Sequence, residues 1–108
     1  MPNYHDELDA VIRALADPTR RAVVERLAKS PAVVSELAAP FDMTLPSLMQ
    51  HLGILEDAGV VTSEKRGRVR TVSLRPGALD ALQLWLGEQR TPAERQADRL
   101  GIHLIRHS

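Results

Sequence analysis

Residues 44–59, TLPSLMQHLGILEDAG, constrain this chain more than any other stretch. Thr44 is a helix N-cap type whose hydroxyl can take a free first-turn N–H, and Pro46 falls in that turn, where a missing N–H costs nothing. Leu48, Leu52 and Leu55 recur at i, i+4, i+7 and so share one helical face, which must be buried. At about 100° per residue, Pro46, Gln50, Gly53 and Asp57 point away from the leucines, flanked by Ser47 and Met49. Gly59 suits the left-handed position of a C-cap, and Val60 after it can touch Leu55 as in a Schellman motif. The stretch is therefore a helix closed at both ends, with one apolar face and one free face of short or polar side chains.

The remainder of the chain must supply the cover for those leucines. A sequence of 108 residues is one small domain, burying roughly 65% of the surface of its unfolded chain. Tyr4, Phe41 and Trp85 are its three aromatic residues, so the core is aliphatic and drawn from Leu, Val and Ala. With no cysteine there is no disulfide, thiolate metal site or cysteine redox switch. No apolar run approaches the ~20 residues that span a bilayer, and acids stand at Asp6, Glu7 and Asp9 where a signal peptide carries bases. A cytoplasmic protein with no membrane partner is expected.

The order of elements follows from local signals. Leu8, Val11, Ile12 and Leu15 predict an amphipathic helix over 5–16. Asp17 caps, and Pro18 starts, a second helix to about Lys29, with Val23, Val24 and Leu27 inward. A short third helix over 34–39 is closed by Pro40, and residues 41–43 turn into the helix that follows. Residues 60–65 and 69–74 are rich in β-branched types, with Arg66-Gly67-Arg68 between them, and predict a β-hairpin with a basic tip; Val72 and Leu74 share one face and Val69 the other. After Pro76-Gly77, Leu79, Leu82 and Leu86 begin a further helix with Trp85 beside them. Thr91-Pro92-Ala93-Glu94 is a capping box that starts a last one, with Ala97, Leu100, Leu104 and Ile105 apolar.

Formal net charge is zero, but the charges are segregated. Residues 30–59 hold no Lys or Arg and four acids, whereas residues 60–75 hold Lys65, Arg66, Arg68, Arg70 and Arg75 against Glu64. Arg20 and Arg21 lie in a second, weaker basic segment, residues 17–29.

Four helices, a hairpin and two helices (α-α-α-α-β-β-α-α), mainly α with a small β-hairpin, is the order of a winged helix-turn-helix: a single domain over 1–108, with the helix-turn-helix at about 34–58, the wing at about 60–75 and a C-terminal helix at about 92–106. Leu15-Ala16-Asp17-Pro18-Thr19-Arg20-Arg21, Glu36-Leu37-Ala38, Leu45-Pro46-Ser47-Leu48-Met49-Gln50-His51-Leu52 and Leu55-Glu56-Asp57-Ala58-Gly59-Val60-Val61, in that order, resemble ArsR-type (ArsR/SmtB) transcriptional repressors over about residues 6–86. The resemblance implies a cytoplasmic homodimer that binds an inverted-repeat operator in double-stranded DNA, with dimerisation through the first and last helices at Leu8, Val11, Ile12, Leu100, Leu104 and Ile105. Three positions depart from the family. The cysteine pair of its metal-sensing members has no counterpart in 35–39. His103 and His107, at i, i+4 with Asp98 a turn earlier, have a spacing that can grip zinc but does not match the family's C-terminal site. Gln50 stands where members often carry Lys or Arg. The chain thus resembles the autorepressors and the members with no assigned ligand; no metal, cofactor or effector is assigned.

The residue chemistry argues for DNA independently. A helix about 12 Å across fits the major groove, where Gln50 can serve adenine N6/N7, Ser47 either kind of base edge, and Pro46 or Met49 a thymine methyl. Thr44 at the helix start suits a phosphate. His51, flanking the leucine face, reads as a half-buried structural histidine at the edge of the set. Lys65, Arg66, Arg68 and Arg70 would neutralise phosphates from the hairpin, with Arg20 and Arg21 adding backbone contacts. The competing reading is a winged-helix protein-interaction module, motivated by the zero net charge and the base-free helix-turn-helix. An enzyme is set aside, because the chain holds no Ser/His/Asp ordering, glycine-rich phosphate loop or paired acids placed in a pocket.

Overall fold

The computed structural model describes residues 4–101, and within them the sequence signals set the elements. In chain order these are α1 (Tyr4–Ala14), α2 (Pro18–Leu27), β1 (Ala32–Val33), α3 (Val34–Ala38), α4 (Leu45–Asp57), β2 (Val61–Arg66), β3 (Val69–Leu74), α5 (Asp80–Glu88) and α6 (Pro92–Arg99). Three N-caps form as their residue types require. Asp17 Oδ2 accepts the Arg20 N–H at 3.0 Å, Thr44 Oγ1 the Ser47 N–H at 3.3 Å and Thr91 Oγ1 the Glu94 N–H at 3.2 Å, each cap satisfying a first-turn N–H that the helix leaves without a partner. The end of α4 is a Schellman motif. The Val60 N–H donates to Leu55 O and the Gly59 N–H to Glu56 O, both at 2.9 Å, with Gly59 at φ 76°, a conformation that costs glycine little.

The sheet has the order β1-β3-β2, antiparallel throughout. β1 was not expected; two residues, Ala32 and Val33, pair with Val72 and Thr71 and cover what would otherwise be the open edge of β3. The hairpin turn is tighter than the sequence reading, since Arg66 pairs with Val69 across Gly67 and Arg68 alone. Gly67 has φ 62° and no non-glycine residue described has positive φ, so the turn is of the II′ kind, with glycine first, rather than I′.

The core is aliphatic. Val23, Leu37, Leu48, Leu55, Val60 and Val72 are fully buried, and among the described residues no polar or charged residue is buried. α2, α4 and β2–β3 enclose it, with α1 laid across α4 and α5. Neither α5 nor α6 buries a residue. α6 instead reaches back with charge: Arg90, just before it, lies 2.7 Å from Asp98 and 3.5 Å from Glu94. α6 ends at Arg99, with Gly101 at φ 76° just beyond it; the last part of the stretch expected to be helical, about 92–106, lies outside the described residues. The radius of gyration of 16.7 Å exceeds the ~13 Å of a compact chain this long, as befits a C-terminal part with no core of its own. No described helix is long and apolar enough to cross a membrane.

Candidate nucleic-acid interface

α4 presents the free face expected of it. Leu48, Leu52 and Leu55 are buried, while Pro46, Met49 and Gln50 are exposed and Ser47 is half-buried. The Thr44 hydroxyl donates to Ser47 Oγ at 3.0 Å while accepting the Ser47 N–H, which leaves the Ser47 hydroxyl hydrogen free to donate outward. A Cβ built on Gly53 would meet nothing within 4 Å, so the middle of this face is open to close approach. Leu45 and Ile54, 54% and 44% exposed, add apolar surface at its borders. All the outward groups are neutral until Glu56 and Asp57 at the C-terminal end.

The hairpin carries the positive charge. Lys65, Arg66 and Arg68 are exposed, with Arg66 paired to Glu64 at 3.0 Å on the strand face. Lys65 sits directly opposite Arg70, and like charges in that relation repel; an anion between them would relieve it. Arg70 turns away from the repulsion instead, donating from Nη1 to Ser63 Oγ at 2.9 Å, and Ser63 Oγ lies 3.5 Å from Glu56 Oε1 on α4. The chain Glu56–Ser63–Arg70 thus bridges helix and wing beside a small cleft of about 80 Å³ lined by Met49, Leu52 and Val72 among others.

Arg20 and Arg21 are occupied at the C-terminus of α1. Arg21 Nη1 donates to Leu15 O at 2.8 Å, and Arg20 donates from Nε to Ala14 O at 2.6 Å and from Nη2 to Arg13 O at 3.2 Å. Arg20 Nη1 also lies 3.3 Å from Nδ1 of His51, which is itself 3.8 Å from Asp17 Oδ2. His51 is accordingly half-buried, off the free face of α4. The Arg20 backbone N–H holds the Asp17 carboxyl below its ordinary range; burial opposes this, and the charge of Arg20 adds to it. Folding therefore favours the ionised cap, a contribution lost as pH falls through that lowered value.

The expected dimer residues divide. Leu8 and Val11 are 5% and 3% exposed within the single chain, because α1 turns that stripe toward its own α4 and α5; they are core residues. Ile12 and Leu100 are exposed, and so are Leu84, Trp85 and Leu86 of α5. Leu104 and Ile105, with His103 and His107, lie outside the described residues. Asp98, read as a turn before those histidines, is bound to Arg90.

Sequence reasoning missed the two linkages, Glu56–Ser63–Arg70 and Asp17–Arg20–His51. For the first a faint signal existed, since Ser63 and Arg70 stand two residues from the inward Val61 and Val72 and so share their face of the hairpin. For the second there was none, as Arg20 and His51 are 31 positions apart.

Comparison with known proteins agrees with this geometry. Residues 15–64 match a helix-turn-helix domain family. The chain is 44% identical over 75 residues to the HTH-type transcriptional regulator Rv2034 of Mycobacterium tuberculosis, covering 69% of this chain and 70% of the relative. It is 44% identical over 70 residues to the HTH-type transcriptional repressor SmtB of the same species, covering 62% of this chain and 52% of that one, so it spans about half the length of the latter. The crystal structure of an ArsR family transcriptional regulator, RHA00566, superposes with a TM-score of 0.76 at 52% identity, over 82% of this chain and 92% of the other. With fold, motif order and these likenesses in agreement, the chain belongs to the ArsR family of winged helix-turn-helix transcriptional regulators.

Proposed function

We propose that the chain is a homodimeric repressor that seats α4 of each copy in successive major grooves of an inverted-repeat operator and rests its hairpins on the flanking phosphates. The observation that carries this reading is a helix capped at both ends, its neutral free face bearing Gln50, Ser47, Met49 and Pro46, beside a hairpin tip bearing Lys65, Arg66 and Arg68. Base edges would be read by Gln50 at adenine and by Met49 or Pro46 at a thymine methyl, while the tip supplies charge that carries no sequence information. Thr44 at the start of α4 lies where a phosphate would pass. Arg21 and Arg70 keep part of their guanidinium for such a contact, and His51 and Arg20 serve α4 from behind.

Dimerisation is supported by Ile12, Leu84, Trp85, Leu86 and Leu100, apolar residues that stay exposed while α5 and α6 bury nothing. Relatives named as a repressor and a regulator support control of transcription, and a protein with that task works at the chromosome, in the cytoplasm. Selection of bound sequences from a random duplex pool, with and without zinc, tests the whole reading. It is expected to return an inverted repeat whose half-sites are about one DNA turn apart, ~34 Å, the same in both arms, with a dimer in sedimentation. Lack of retention on any duplex at low salt would point instead to a protein-interaction module.

A further inference from the structure

We propose that Arg20 is a positioning residue for the recognition helix: its guanidinium is fixed to the end of α1 and orients α4 through His51, rather than binding a phosphate. The inference rests on the DNA-binding reading above and specifies how that site is held.

The last carbonyls of a helix have no partner within it. At the end of α1, Ala14 is fully buried, and its carbonyl takes the short 2.6 Å bond from Arg20 Nε, while Arg13 O takes one from Nη2. Two edges of the planar fork are thereby fixed, and the positive charge also sits at the negative end of the α1 dipole. The remaining edge places Nη1 3.3 Å from His51 Nδ1. The backbone of Arg20 is held as well, by the Asp17 cap, so neither end of the side chain is free to swing to a phosphate without breaking these bonds.

His51 follows Gln50 on α4. The apolar face of α4 is held by Leu48, Leu52 and Leu55, but apolar contact is non-directional and tolerates small rotation about the helix axis. Arginine only donates, so Nδ1 accepts from Nη1 as the unprotonated nitrogen of the ring; that bond is directional, and through it the Arg20–His51 contact sets the rotation of α4 and with it the aim of Gln50 and Ser47. Reading base edges demands that precision, roughly 0.5 Å and 10–20°, whereas neutralising phosphates does not. Because the fixed end belongs to α1, which also carries the exposed Ile12, the aim of α4 is referred to the same helix that faces a second copy.

The test compares wild-type protein with Arg20→Ala, Arg20→Lys and His51→Leu on the selected operator and on random duplex across a salt series. Arg20→Ala and His51→Leu are each expected to lower operator affinity about tenfold, the loss of a charge-assisted hydrogen bond. Random-duplex affinity and the slope of log affinity on log salt should stay at wild-type values, and the double variant should be no weaker than the weaker-binding single. Arg20→Lys keeps the charge and loses the fork, so it should behave as Arg20→Ala. Rescue by lysine, or a slope reduced by about 0.9 with equal loss on both duplexes, identifies a phosphate ligand and overturns the proposal. If Arg20→Ala does not fold, His51→Leu decides alone, and operator affinity within twofold of wild type overturns the proposal. Wild-type protein that binds no duplex overturns the DNA-binding reading itself, a result distinct from any of these.

Discussion

Between Leu45 and Asp57 the chain sends three leucines into the core, closes both helix ends with hydrogen bonds and exposes side chains that are neutral up to Glu56; residues 65–69, by contrast, are all exposed and carry three bases. The two regions are joined through Glu56, Ser63 and Arg70, yet they solve different physical problems. Reading a base edge needs a fixed direction, because a misaligned amide gains nothing over water. Neutralising a phosphate needs charge, which acts over several ångströms and tolerates displacement. On the proposed function, selectivity and affinity fall to separate elements, and a chain of zero net charge would bind DNA through bases gathered in its hairpin.

The largest expected effect tests the fixed member of the pair. Leu48 is fully buried against the core, so Leu48→Ala should destabilise the fold by about 2–5 kcal/mol, measured by denaturant unfolding. Arg68→Ala, on the exposed turn, should stay within about 0.5 kcal/mol of wild type. A Leu48→Ala cost below about 1 kcal/mol would mean that α4 is not seated as described, and the contrast in anchoring would disappear.

On the operator the roles separate further. Gln50→Ala should cost about 1–3 kcal/mol of discrimination at one base-pair position per half-site, with random-duplex affinity unchanged; gel shifts on an operator and its single-pair variants report this. Arg68→Ala should weaken binding to every sequence alike and reduce the slope of log affinity on log salt by about 0.9. If the two variants gave the same pattern, helix and tip would be sharing one task.

What the sequence disclosed divides along the same line. The caps at Asp17, Thr44 and Thr91, the Schellman end at Gly59 and the hairpin around Gly67 depend on residues a few positions apart, and each was legible. β1 was not, because two residues after Pro31 leave no period to detect and gain their structure from Val72 and Thr71. Nor was the stop of α6 at Arg99, because a single glycine, Gly101, can interrupt a pattern weakly or close a helix outright. Counting charges treats every arginine alike, whereas the fold gives Arg20 to the α1 carbonyls and Arg70 to Ser63, partners that only tertiary structure brings close. The same blindness put Leu8 and Val11 on the dimer surface, since an apolar stripe does not state whether its cover comes from its own chain.

Glu64 offers the finest test, because it is the acid within the basic wing. Its carboxylate lies 3.0 Å from both Nε and Nη2 of Arg66, with the two side chains 69% and 84% exposed. An exposed pair contributes about 0.2–1 kcal/mol at most and is screened by salt, so Glu64→Gln should leave unfolding within about 0.5 kcal/mol of wild type. Binding should change in the opposite sense to Arg68→Ala. Removing one negative charge beside the phosphates and releasing Arg66 should raise affinity about two- to fivefold on operator and random duplex alike, the factor that the pair energy converts to. The gain should fade between 0.1 M and 1 M salt, as the screening length shrinks from about 10 Å to about 3 Å. A loss of affinity confined to the operator would show that Glu64 holds Arg66 in a fixed pose for a directed contact, and the tip would then have to be counted, with α4, among the elements that read sequence.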